Sequence, residues 1–238
     1  MAVAAGPDHA ARVLRGVPVS TVNAVRRTLL ADVPRPAVRT VDVVHFECSQ
    51  DEEYVVHRLA MLPVVDTSDR APDQLPDATR YRKCCLRADV ACPAGTERLD
   101  VTDRDFVSDV PGVSFWRSPH GPVPVARLRP GQRVILHVWL GVGTPVQHAK
   151  HAGVTVAFHR VLVAADGTAV AASASQCPME RQDHRDHRGD VEAAGRPLPV
   201  VRFEVETLTD PADFAVRRAL VVLRSNLRHV AANLRNLY

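Results

Sequence analysis

The chain has 238 residues, of which 46% are hydrophobic and 24% are charged, a composition that argues against global disorder. Its 30 basic residues nearly balance its 27 acidic ones, so the net charge of +3 does not by itself point to a nucleic-acid or membrane partner. Aromatic residues make up only 5%, too few for a stacking platform on single-stranded nucleic acid, and no apolar run is long enough to span a bilayer.

The first residues and the cysteines indicate in which cellular compartment the protein is expected. Residues 1–7 lack the basic start of a secretory signal, and Gly6-Pro7 ends their apolar run after a few positions. The five cysteines are an odd number without the spacing of a disulfide framework. We therefore expect an intracellular protein with free thiols in a reducing compartment.

The first third of the chain is predicted to alternate strands with amphipathic helices. Ser20, two residues after Pro18, is the expected N-cap of the first helix. Asp32-Val33-Pro34 ends this helix, because a residue before proline is disfavoured in the α conformation. Acidic residues open the second helix, and Pro63 closes it. The elements predicted here are a strand at residues 9–15, a helix at 19–31, a strand at 37–48 and a helix at 50–59.

The middle of the chain has a different pattern. Residues 66–77 are rich in Asp, Pro, Ser and Gln and lose apolar periodicity, so we expect a domain boundary near residue 64. The segment beyond it favours a β-rich, antiparallel unit, and the polar residues 181–199 favour a loop. Its strands are predicted at residues 82–92, 97–101, 132–140 and 153–162.

The end of the chain is regular again. Residues 200–207 alternate as a strand does, and Thr209-Asp210-Pro211 is a helix-start signature. Apolar residues then recur every three or four positions over six turns, which forms a narrow seam that needs a partner surface. The seam comprises Phe214, Ala219 or Leu220, Leu223, Leu227, Val230 and Leu234.

Common catalytic and metal-binding motifs are missing from the sequence. It has no nucleophile elbow, no phosphate-binding glycine loop and no zinc-protease motif. Cys84, Cys85 and Cys92 lack a fourth ligand, and adjacent strand residues point to opposite faces, which favours buried thiols over a zinc site. His184 and His187, with Asp183 and Asp186, favour a solvated loop over a transition-metal site. The alternative function is a metal- or ligand-binding enzyme that uses the histidine-rich middle.

Two basic segments leave their role open. His148-Ala-Lys150-His151 is either a phosphate contact or a surface turn. Arg26 and Arg27 are either the solvated face of an amphipathic helix or a docking face for an acidic partner, and the spacing does not decide between them.

Four blocks of residues, in the same order as in the family, resemble the α-like subunit of multisubunit DNA-directed RNA polymerases. This family includes the third-largest subunit of eukaryotic RNA polymerase II, its archaeal counterpart and the bacterial α N-terminal domain. The resemblance spans about residues 10–235. The blocks are Asn23-Ala-Val-Arg-Arg27 with Val33-Pro34, Glu52-Glu53 with His57-Arg58-Leu59-Ala60-Met61-Leu62-Pro63, Gly131-Gln132 with His148-Ala-Lys150, and Phe203-Glu-Val-Glu206 with the final helix.

The sequence departs from the family pattern at several positions. Glu52 replaces the usual Asp, Ala60 replaces a glycine, and His151 stands where tryptophan is common. The four-cysteine metal site of many members lacks its fourth ligand here, so neither a metal nor another cofactor is expected. The divergence fits a lineage far from model eukaryotes, such as a large DNA virus.

The resemblance implies an α+β fold and a non-catalytic job in assembly. Residues 1–63 and 200–238 would form a discontinuous dimerisation domain, and residues 64–199 an inserted β-rich domain. The seam would pair with a smaller α-like subunit, and the heterodimer would dock the large catalytic subunits in the nucleus or in a viral factory or virion. A small zinc-binding assembly subunit is a further partner, DNA is reached only through the complex, and no membrane is involved. The implied docking residues are Asn23, Arg26, Arg27, Glu53, His57 and Arg58, with His148 and Lys150 as an inserted-domain contact.

Overall fold

The computed structural model describes residues 8–68, 74–162 and 200–235. The loop predicted at residues 181–199 lies outside the described residues. The alternative metal site at His184 and His187, with Asp183 and Asp186, lies outside them too.

The chain folds into an α+β structure, so the class predicted from the sequence is confirmed. Among the described helices, none is both long enough and apolar enough to cross a membrane. The helices are α1 (Val19–Ala31), α2 (Glu52–Ala60), α3 (Ala78–Arg82) and α4 (Ala212–Arg235). The strands are β1 (Asp8–Leu14), β2 (Arg35–Phe46), β3 (Val64–Asp66), β4 (Cys85–Ala91), β5 (Leu99–Thr102), β6 (Val107–Ser108), β7 (Val113–Phe115), β8 (Pro124–Leu128), β9 (Arg133–Gly143), β10 (Val154–Leu162) and β11 (Val200–Thr207).

The smaller of the two main sheets carries both long helices on one face. Its antiparallel strands run in the order β1-β11-β10. Val201, Phe203 and Val205 alternate along β11 and point to one side, since successive strand residues face opposite sides of a sheet. These side chains pack against α1 and α4 in a core of their own, which also takes in Val154 and Ala157 of β10. We call this the small core.

The larger sheet has the order β2-β9-β4-β6. Its central strand β9 buries every second residue completely, from Val134 to Leu140, and these side chains form the middle of a second core. Two short ribbons, β3-β7 and β5-β8, close over this core. Phe106 and Phe115 meet there edge to face, with ring centroids 5.3 Å apart. We call this the large core.

Membership of the two cores does not follow the predicted domain boundary near residue 64. Val38 of β2 and Leu59 of α2 lie in the large core, although the boundary assigns them to the outer domain. The predicted boundaries place strand β10 in the inserted domain, yet it pairs with β11 and its Ala157 lies in the small core. The physical reason is the pairing of β10 with β11, which places Val154, Ala157 and Val161 of β10 at the small core, where β10 contacts α1.

Several local predictions need correction. Pro18, not Ser20, is the N-cap of α1: its carbonyl accepts the amides of Thr21 and Val22, and no side chain caps the helix. The predicted strand at residues 82–92 begins only at Cys85, because α3 precedes it. Asp77 caps α3 by accepting the amide of Thr79 at 2.8 Å. The short elements α3, β3, β6, β7 and β8 were not predicted.

Candidate functional site

Helix α4 has two apolar faces with different neighbours. One face is made of small residues, and it packs on the small core through Ala212, Ala215 and Ala219. Val222 is also buried. Small side chains let the helix backbone approach the sheet closely. The larger apolar residues are therefore left on another side of the helix.

The predicted seam is split between these faces. Phe214 is half-buried beneath Arg218, whose guanidinium carbon lies 4.4 Å from the ring centroid, and Leu223 packs partly against the small core. The alternative seam residue, Ala219, is fully buried. The other four are 48–61% exposed, and we call them the apolar seam: Leu220, Leu227, Val230 and Leu234.

The second half of α4 has no cover among the described residues. Every residue from 224 to 235 is exposed. Twelve helical residues extend for about 18 Å. Leu227, Val230 and Leu234 are spaced by three and four positions, so they lie along one side of this projecting half. A groove lined by Leu220, Leu223 and Leu227 continues the same side toward the body of the chain.

The basic residues of α1 differ in exposure. Arg26 is half-buried, and its Nε and Nη2 donate to Asn23 Oδ1 at 3.1 and 3.0 Å. Arg27 is exposed. Arg26 also faces His159 of β10, where burial, with help from the Arg26 charge, lowers the pKa of the imidazole. The pair Asn23–Arg26 thus presents a preformed guanidinium at the surface of the small core.

The implied docking residues of α2 lie on the large core instead. Glu53 and His57 are exposed, whereas Arg58 is held in place. Its Nη2 donates to the Pro124 carbonyl at 2.7 Å, and its Nη1 donates to the Tyr54 hydroxyl at 3.1 Å. The structure therefore puts the two implied docking sets on helices of different cores and does not gather them into one cluster.

Within the segment His148-Ala-Lys150-His151, residues Ala149–His151 form a single turn of 3-10 helix, and His148 is its N-cap. His148 is exposed, and its Nδ1 accepts the amide of Lys150 at 3.1 Å. The imidazole thus caps the turn, and Lys150 is half-buried beside it. Of the two open alternatives, this geometry favours a surface turn.

A buried polar cluster joins the two cores, and no motif or periodicity predicts it. Arg35 begins β2 in the larger sheet, but its guanidinium enters the small core, donates to Thr209 Oγ1 and pairs with Asp210 Oδ2 at 3.4 Å. Burial lowers the pKa of Arg35, and Asp210 opposes that shift. The backbone of Arg35 is also held, since its carbonyl lies 2.8 Å from His151 Nδ1.

Three described cysteines of the middle segment are buried thiols. Cys84, Cys85 and Cys92 are at most 3% exposed. Burial raises the pKa of the Cys84 and Cys85 thiols, which favours the protonated form over the thiolate that binds metal. Cys84 Sγ lies 3.4 Å from Ser108 Oγ. Within residues 8–68, 74–162 and 200–235, no three His, Cys, Asp or Glu side chains are grouped to hold a metal ion.

Comparison with known proteins gives the resemblance independent support. No family model matches the chain. It is 33% identical over 139 residues to the DNA-directed RNA polymerase subunit Rpo3 of Pyrococcus furiosus, covering 58% of this chain and 49% of that subunit. It is 27% identical over 149 residues to Rpo3 of Methanosphaera stadtmanae, covering 60% and 53%. It is 30% identical over 152 residues to the RNA polymerase II subunit rpb3 of Dictyostelium discoideum, covering 58% and 49%.

The similarity to archaeal and eukaryotic third subunits, which four blocks of residues predicted, is thereby confirmed. The chain spans about half the length of the curated relatives it matches.

Proposed function

We propose that this chain is a non-catalytic assembly subunit of a DNA-directed RNA polymerase built from several subunits. In this role it pairs with a smaller α-like subunit, and the pair docks the large catalytic subunits. The similarity to archaeal and eukaryotic third subunits supports the assignment.

The observation that carries the proposal is the apolar seam of α4. Fully burying a Leu or Val side chain is worth roughly 1.5–3 kcal/mol, and these four are about half exposed, so covering each yields roughly 1 kcal/mol. Their helix is already anchored by its small-residue face, so the seam is available to another chain. A rigid helix that offers spaced apolar anchors is one of the recurring modes of protein recognition.

Docking of the large subunits is assigned to α1 and α2. Arg26 is oriented by Asn23, and Arg58 is oriented by the Pro124 carbonyl, so both guanidinium groups are held before any partner arrives. Planar guanidinium groups suit carboxylates and backbone carbonyls at interfaces. Arg27, Glu53 and His57 add exposed charge and hydrogen-bonding groups around them.

A further contact is proposed for the turn that contains His148 and Lys150. His148 and Lys150 are assigned to a contact made by the β-rich part of the chain, with the small zinc-binding assembly subunit as one candidate. DNA is reached only through the assembled polymerase. The site of action is intracellular, in the nucleus or, for a viral polymerase, in a viral factory or virion.

The test is affinity purification of the tagged chain from its native source, with identification of the co-purifying proteins. We expect a smaller α-like chain in equal amount and two large subunits, with RNA synthesis by the complex on a DNA template. A matched control carries Leu227→Asp, which should remove every other subunit. Recovery of the chain without polymerase subunits would contradict the proposal.

A further inference from the structure

A stripe of arginines runs beside the apolar seam of α4. Its members are separated by seven, four and seven positions, which places them on one side of the helix. All four are exposed. We call this set the arginine stripe: Arg217, Arg224, Arg228 and Arg235.

The charge of the stripe is not balanced within the helix. Asp213 is the only acidic residue of α4, and it already pairs with Arg12 of β1 at 3.0 Å. Within the part of the chain that the structure describes, none of the four stripe residues forms an ion pair. Covering the seam therefore brings a partner alongside four uncompensated positive charges.

We infer that the partner's apolar surface is flanked by Asp and Glu residues that face the arginine stripe. The inference rests on the proposed function, since it describes the chain that covers the seam. Complementary charges at the rim of an apolar contact steer association and fix register, whereas like charges placed together disfavour a wrong partner.

Self-association illustrates why a second copy fits poorly. In an antiparallel pairing of two copies related by a two-fold axis, each flank of the helix meets the same flank of the other copy. Arg224 and Arg228 would then face their own counterparts across the seam. The second half of α4 offers no carboxylate to separate these charges.

Nucleic acid is the other polyanion that could face arginines. Phosphates would neutralise the stripe but would leave Leu227, Val230 and Leu234 in water. A protein with an acidic flank satisfies both surfaces at once, because it covers the apolar side chains while it pairs the charges. The contiguity of seam and stripe therefore favours a protein.

A zero-length cross-link can detect the predicted carboxylates. The chain has only two lysines, Lys83 and Lys150, so amine background is low. A tagged full-length chain carrying Arg224→Lys and Arg228→Lys keeps the charge, and its complex is purified after nuclease treatment. A carbodiimide then activates carboxylates, and a lysine amine within direct contact displaces the activating group to form an amide. The matched control is Ser225→Lys, which puts an amine on the same turn but away from the stripe.

We expect cross-links from residues 224 and 228 to Asp or Glu of the smaller partner, and none from residue 225. Arg224→Glu with Arg228→Glu should weaken the complex by about tenfold at low ionic strength and less at high salt. A complex that Leu227→Asp disrupts but that shows neither effect would overturn this inference and leave the proposed function standing. Cross-links to a second tagged copy, or association lost on nuclease treatment, would overturn it as well. Absence of any seam-dependent complex would overturn both.

Discussion

The guanidinium of Arg35 occupies the space in which a side chain at residue 153 would begin. A Cβ built on Gly153 would lie 2.6 Å from Arg35 Cζ, closer than real Cβ atoms approach a neighbour. The same guanidinium is tied to Thr209 and Asp210, so it cannot swing away without leaving a buried charge unpaired. Gly153 is thus the residue that lets the larger sheet reach into the small core.

Substitution of Gly153 by Ala should therefore destabilise the chain. We expect the free energy of unfolding to fall by about 1–3 kcal/mol, the usual range for overpacking. Gly95→Ala is the matched control, since no atom lies within 4 Å of a Cβ at that position. Urea denaturation of both variants measures the difference. Equal midpoints for the two would contradict this account of the Arg35 pocket.

A second prediction concerns pH and His151. Burial lowers the pKa of its imidazole below the usual 6.5, and the charges of Lys150 and His148 add to the shift, while the hydrogen bond to the Arg35 carbonyl opposes it. The unfolded chain therefore binds a proton at a higher pH than the folded chain does. Stability is complete above 6.5 and falls as the pH drops toward the lower pKa of the folded state.

His151→Gln should flatten this acid limb. Unfolding free energies at about pH 8 and about pH 5 should differ less in the variant than in the wild type. The slope should not vanish, because burial lowers the pKa of His159 in the same direction. The unfolding free energy at the higher pH serves as the baseline for each protein. Identical slopes would show that His151 is not the group that titrates.

The sequence was sufficient for elements whose signal is local. The alternation along β11 and the proline at the start of α4 both predict what the structure shows, because each depends on neighbours within a few positions. It could not tell which apolar side of α4 packs on its own sheet. Small residues such as Ala215 carry little hydrophobic signal, yet they are buried in the small core, and Leu227 is left exposed.

The buried polar cluster of Arg35, Thr209 and Asp210 could not be predicted because Arg35 lies far from the other two residues in the sequence. Arg35 and Thr209 are separated by 174 positions, and no periodicity relates them. Their contact exists only because two sheets meet at the start of β2. The implied docking residues of α1 and α2 were found through resemblance alone, since an exposed arginine and a docking arginine have the same local pattern.

A third prediction separates the two faces of α4. Leu227 is 61% exposed and Val222 only 7% exposed, although both are apolar residues of one helix. Leu227→Asp should leave the melting temperature of the isolated chain nearly unchanged but abolish the proposed complex with the smaller subunit, since a buried unpaired carboxylate costs several kcal/mol. Val222→Asp should destabilise the isolated chain, since it places the same charge at a buried position. Size-exclusion chromatography with circular dichroism measures both, and a Leu227→Asp variant that still pairs would exclude the seam as the interface.

The last prediction concerns Arg26 and Arg27. Arg27 is exposed and Arg26 contacts Asn23 at the margin of the small core, so replacing both with Ala should cost less than about 1 kcal/mol of stability. The variant should fold and still pair with the proposed smaller subunit through the apolar seam of α4. It should nevertheless fail to recruit the large subunits, because the oriented guanidinium of Arg26 and the charge of Arg27 are lost together.

Arg82→Ala with Arg104→Ala is the matched control, since it removes two exposed arginines elsewhere and should assemble normally. The ratio of large to small subunits after affinity purification, measured together with thermal melting, distinguishes a docking role of the two arginines from a structural one. A large fall in the melting midpoint of the α1 variant would mean that the two arginines are structural.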